Sequence, residues 1–86
     1  MESKLKRKCR IKLESWGWYV LYLIQTNKNG ITDTLLLRNG RYIWIEFKRN
    51  EKTIPDPLQD YRMAEVQKFG AEVMVVDNYE DIFCLQ

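Results

Sequence analysis

The sequence predicts an α/β domain: a mixed central β-sheet of about four strands flanked by helices. Three observations predict it. First, the apolar runs Thr34-Leu35-Leu36-Leu37 and Arg41-Tyr42-Ile43-Trp44-Ile45-Glu46-Phe47-Lys48 are joined by Arg38-Asn39-Gly40-Arg41, a hairpin turn signature. Second, stretches of helical period at 3–16 and 57–69 bracket the strand runs. Third, the second helical stretch leads into Glu72-Val73-Met74-Val75-Val76, and a helix crossover of this kind sets the last strand parallel to the one at 43–48.

Taken in order, Leu5, Cys9, Leu13 and Trp16 recur at helical spacing, with Ser3 as the expected N-cap, so residues 3–16 form an amphipathic helix whose apolar stripe packs on the sheet. Lys4, Lys6, Arg7, Lys8, Arg10 and Lys12 crowd this stretch against only Glu2 and Glu14. Two readings of that basic face stand open: phosphate contact, with Lys4, Lys8 and Lys12 as candidates, or a solvated helix surface. Glu14 lies near the helix end, where the macrodipole disfavours a negative charge, so it calls for a local cation. Arg10, one turn earlier, supplies one such partner; a catalytic ion would be another. Gly17 ends the helix. The aromatic and β-branched run at 18–25 is a strand whose Trp and Tyr residues read as core and interface material. A loop with Asn and Gly at 26–30 then leads into Asp33.

Beyond Lys48, a polar loop with two prolines offers Arg49 and Lys52 as phosphate contacts or as ordinary exposed residues. Asp56 is the expected N-cap of the next helix, with Pro57 at its first position, Gly70 closing it, and Leu58, Val66 and Phe69 as its buried stripe. Gln59 falls where it completes a capping box with Asp56. The last segment, 78–85, reads as a short terminal helix capped by Asn78.

A chain of 86 residues is one domain, 1–86, with a small core, and such a domain gains from oligomerisation. No apolar run approaches a membrane span, and the charged N-terminus lacks a signal-peptide segment, so no membrane association is expected. Cys9 and Cys84 lack metal-ligand spacing and read as reduced, core-facing residues of a cytoplasmic protein. The absence of histidine excludes His-based nucleophilic triads, His–metal nuclease motifs and the usual zinc sites. A net charge of +2 is too small for a protein that coats nucleic acid by bulk charge.

The chemistry concentrates on the strand 41–48. Its alternation puts Tyr42, Trp44, Glu46 and Lys48 on one face and Ile43, Ile45 and Phe47 on the other. Both faces are largely apolar, so the strand belongs inside the sheet with both sides covered. Burying Glu46 and Lys48 there is costly unless they pair or meet a metal. The hairpin brings Asp33 to the same sheet end. Two carboxylates supply the oxygen ligands that Mg²⁺ or Mn²⁺ prefer, and a lysine beside them can orient water or stabilise charge on a phosphate. An ordinary Glu-Lys pair on a half-exposed strand is the other reading of the same residues.

The order Gly30-Ile31-Thr32-Asp33, Glu46-Phe47-Lys48, Gln59 at a helix start and Gly70-Ala71-Glu72-Val73 resembles the VRR-NUC (virus-type replication-repair nuclease) family of the PD-(D/E)XK superfamily. The likeness runs from about Glu14 to near the C-terminus. It departs at Thr32, where the family usually has Pro before the metal-binding Asp. The resemblance implies a restriction-endonuclease-like core and a DNA endonuclease using Mg²⁺ or Mn²⁺. It assigns the ion to Asp33, Glu46 and the main-chain carbonyl of Phe47, the attacking water to Lys48, and supporting roles to Glu14 and Gln59. Stand-alone members are phage-encoded homodimers acting on branched DNA such as four-way junctions, which would put this chain in the host cytoplasm. A nucleic-acid-binding module of the same fold without turnover is the alternative function. A self-associating structural protein with aromatic strands at its interface is a third.

Overall fold

A computed structural model describes residues 2–48 and 57–86. The elements are α1 (Lys4–Ser15), β1 (Tyr19–Tyr22), β2 (Thr34–Arg38), β3 (Arg41–Phe47), α2 (Pro57–Lys68), β4 (Glu72–Val76) and a terminal 3₁₀ helix (Tyr79–Leu85). The four strands form one sheet in the order β1-β2-β3-β4. Strands β1, β2 and β3 pair antiparallel, and β4 joins β3 in parallel through the α2 crossover, so the sheet is mixed as expected. The β2–β3 turn has Asn39 and Gly40 both at positive φ, 50° and 80°, the backbone that a two-residue hairpin of matching twist requires.

Local signals account for the ends of α1. The Ser3 hydroxyl accepts from the Lys6 N–H at 3.1 Å, and Gly17, at φ 89°, follows the C-terminus. The stripe of α1 and the 3₁₀ helix cover one sheet face. Cys9, Leu13, Trp18, Leu36, Ile43, Ile45, Val76, Ile82 and Leu85 form the core between them, with Trp18 donating its indole N–H to the Leu85 carbonyl at 2.9 Å. Burial holds the Cys9 thiol protonated, with its pKa raised to about 11, so this cysteine is packing material and not a nucleophile.

The other face is only partly covered, contrary to the expectation for β3. Tyr42 is 58% exposed, and a groove of about 930 Å³ runs between Tyr42 and Trp44 on one side and Val66 of α2 and Phe69 just beyond it on the other. The α2 stripe is rotated from the expected one. Met63 is buried, and Gln59, Arg62 and Val66 flank it at i, i+3 and i+7, whereas Leu58 and Phe69 stand exposed. Arg62 takes an inward position by donating to the Asn29 carbonyl of the loop before β2 and by pairing with Glu65. Cys84 is likewise exposed and not core-facing. The terminal segment is a 3₁₀ helix with three residues per turn, so Tyr79, Ile82 and Leu85 turn inward and Phe83 and Cys84 turn out. The strand expected over 18–25 is shorter: Trp18 enters the core ahead of β1, and Ile24 lies fully exposed beyond it. Among the described residues no helix is long and apolar enough to cross a membrane.

Candidate active site

Strand register sets the site. Thr34 pairs with Ile45, so continuing the β2–β3 ladder by one residue puts Asp33 beside Glu46 at the sheet end where β3 finishes. The start of β2 is pinned there by two bonds. The buried Thr32 hydroxyl donates to the Ile45 carbonyl, and the Leu23 N–H donates to the Asp33 carbonyl at 2.7 Å. Thr32 therefore fixes by a hydrogen bond the turn that a proline would fix by its ring.

Glu46 is 2% exposed, and its carboxylate meets the Lys48 ammonium at 2.6 Å. That contact offsets the cost of burying the carboxylate. The hydrogen bond with Glu46 raises the Lys48 pKa above the ordinary lysine range, against a smaller opposing effect of burial, with Asp60 and Asp77 adding to the rise. Lys48 is therefore a cation at neutral pH and a donor, not a base. Asp60 lies in the first turn of α2.

Asp33 carries a second lysine. The Lys6 ammonium lies 2.6 Å from Asp33 Oδ2, with Asp33 54% exposed and Lys6 only 13%. Burial pushes the Asp33 carboxyl up, but the bonds from Lys6 and Thr34 and the charge of Lys6 outweigh it and hold the pKa below the ordinary carboxylate value. Lys6 also sits 4.6 Å from the centre of the Tyr22 ring. The Tyr22 hydroxyl in turn donates to Glu2, which also accepts from Arg10 at 2.6 Å. Each site carboxylate thus has its own ammonium partner.

Helical geometry divides the charges of α1 into two flanks of its apolar stripe. Lys6, Arg10 and Glu14 fall on the flank beside β1; Lys4, Lys8 and Lys12 fall on the other, where Lys8 lies 4.1 Å from the Tyr79 ring and Lys12 lies 5.9 Å from the Trp16 ring. Glu14 pairs with Arg10 at 3.1 Å, and more than two turns, roughly 12 Å along the axis, separate it from Lys6. Glu14 therefore takes Arg10 as its cation, the surface pairing that is the other reading of this residue. Sequence reading missed Lys6 because what brings it to Asp33 is a tertiary contact. Lys6 and Asp33 are 27 residues apart. The amphipathic register of α1, which turns Lys6 toward β1, was the available signal. Arg49, Lys52 and Asp56 lie outside the described residues.

A solved structure described as a VRR_NUC domain superposes on this chain with a TM-score of 0.82 at 29% identity, covering 98% of this chain and 91% of its own. The chain has the VRR-NUC fold. This agrees with the resemblance drawn from Asp33, Glu46, Lys48 and Gln59, and the protein is accordingly a nuclease-fold domain. No family model and no curated protein matches the chain. Among the described residues, no three His, Cys, Asp or Glu side chains gather into a metal cluster. The carboxylates of Asp33 and Glu46 offer hard oxygen donors of the kind that Mg²⁺ or Mn²⁺ prefers.

Proposed function

We propose that the chain is a DNA endonuclease that hydrolyses phosphodiester bonds with Mg²⁺ or Mn²⁺. The observation that carries this reading is Glu46, a 2%-exposed carboxylate on an interior strand, set beside Lys48 at the sheet end where Asp33 immediately precedes β2. A binding module for a polyanion gains nothing from carboxylates there. Asp33, Glu46 and the main-chain carbonyl of Phe47 would hold the ion. When bound, it would supply Lewis acidity to a phosphoryl oxygen and to a neighbouring water.

The chain's own residues do the rest. Lys48, held protonated beside Glu46, orients the attacking water and donates to the charge that builds on the phosphate. Gln59, on the inward stripe of α2, is given a supporting role by the resemblance. The exposed edge of Asp33 leaves it open to substrate. Lys4, Lys8 and Lys12, with Arg49 and Lys52, give backbone contacts that carry affinity without sequence readout. The stand-alone phage type, a homodimeric state and a preference for branched DNA such as four-way junctions belong to this reading through the resemblance.

Nicking of supercoiled plasmid tests it. The reading expects nicked circles in Mn²⁺ and none after EDTA. Plasmid retarded in gels but left intact in Mn²⁺ and Mg²⁺ would instead support the non-catalytic binding module.

A further inference from the structure

Lys6 is the charged group that touches Asp33 among the described residues, and it is largely enclosed. Its ammonium is bracketed by the Asp33 carboxylate at 2.6 Å, the Tyr22 ring at 4.6 Å and the Phe47 ring at 6.0 Å, and its side chain is 13% exposed. Glu2 fixes the Tyr22 hydroxyl and so the ring. A carboxylate and two aromatic faces make a seat for a cation, and the protein fills it with one of its own. Phe47 ties the seat to the active site, since its main-chain carbonyl is one of the groups assigned to the divalent ion.

We infer that Lys6 occupies the cation position on Asp33 in the metal-free protein and must be displaced from it for a divalent ion to bind. The inference rests on the nuclease reading above. A divalent ion approaching Asp33 Oδ2 meets the Lys6 ammonium on the same oxygen, and like charges a few ångströms apart repel strongly in a partly enclosed site, which sets the two in competition. Lys6 therefore acts as a positioning residue. It holds Asp33 in place when no ion is bound, and it weakens metal affinity by competing for the same oxygen, so the site loads only above a set ion concentration.

Calorimetric titration of the full chain with Mn²⁺ tests this without reference to turnover. Wild type, Lys6→Met and Lys6→Arg are compared, each first shown to be folded by its thermal transition; Lys6→Gln replaces Lys6→Met if the latter does not fold. The neutral variant is expected to bind Mn²⁺ about tenfold more tightly than wild type. Lys6→Arg, which keeps the charge, is expected to stay near the wild-type affinity. Equal or weaker binding by the neutral variant overturns the inference, and wild-type nicking in Mn²⁺ would leave the nuclease reading standing. Absence of Mn²⁺ binding in every variant overturns the inference, and absence of nicking as well removes the nuclease reading with it.

Discussion

Lys48 and Asp33 divide the proposed chemistry between a donor and a ligand, and the two roles are separable. Lys48→Ala is expected to leave Mn²⁺ affinity near that of wild type and to lower cleavage about a hundredfold or more, the scale of losing one transition-state donor. Lost metal affinity with unchanged turnover at saturating metal would contradict the assignment. Glu2 gives a test that does not depend on activity. The bonds from Arg10 and Tyr22 lower its pKa from 4.5 to about 2. A depressed carboxylate stabilises the fold above its unfolded pKa and loses that contribution as pH falls through the folded value. The difference in melting temperature between wild type and Glu2→Gln should therefore be present above pH 4.5 and close as pH approaches about 2. A difference constant across that range would remove the network from the stability of the fold. Asp33, Glu46 and Lys48 were legible in the sequence because strand alternation and one hairpin fix their relative places. Lys6 and Glu2 were not, since their partners come from another element.

At the scale of elements, the loop before Asp33 is set by its contact with α2. Gly30 has φ 86°, and a Cβ there would lie 2.7 Å from Leu58 Cγ and 3.1 Å from the Leu58 carbonyl oxygen. Arg62 adds a bond to the Asn29 carbonyl at 2.8 Å, so loop and helix lock together. Gly30→Ala is expected to cost about 1–3 kcal/mol, from strain at positive φ and from overpacking against α2, and to lower cleavage by shifting Asp33. Urea unfolding measures the first effect, and an unchanged midpoint would show that the loop yields freely. The sequence located every strand and both long helices because each carries a period, a cap or a turn signal. It placed the short terminal helix and its Asn78 cap but misjudged Cys84, because a pattern of seven residues does not separate a 3₁₀ from an α-helix, and Cys84 changes sides between the two. It misjudged α2 because its inward stripe is polar at Gln59 and Arg62, and apolar periodicity pointed to Leu58 and Phe69 instead.

For the whole molecule, the sheet has one face closed by α1 and the 3₁₀ helix and one face left partly open. Ile24, Phe69, Tyr42 and Val75 keep large apolar areas in solvent. A domain of this size buries a modest fraction of its surface, so association is expected to stabilise it. Light scattering at micromolar concentration should give the mass of a homodimer. A monomer mass, with cleavage first-order in protein, would overturn the dimer and leave the site untouched. The fold was legible because pattern, turn and crossover all agree on one topology. The open face was not, because β3 is apolar on both sides and the sequence does not show how far α2 reaches across it.

The most direct test of the central claim is the plasmid-nicking rate of Asp33→Asn beside that of wild type at saturating Mn²⁺, with both proteins shown to be folded. Asp33 is half exposed just before β2, so the substitution removes the charge proposed to hold the ion without burying an unpaired group. The account predicts a folded variant without Mn²⁺-dependent cleavage. Cleavage by Asp33→Asn at the wild-type rate would contradict it.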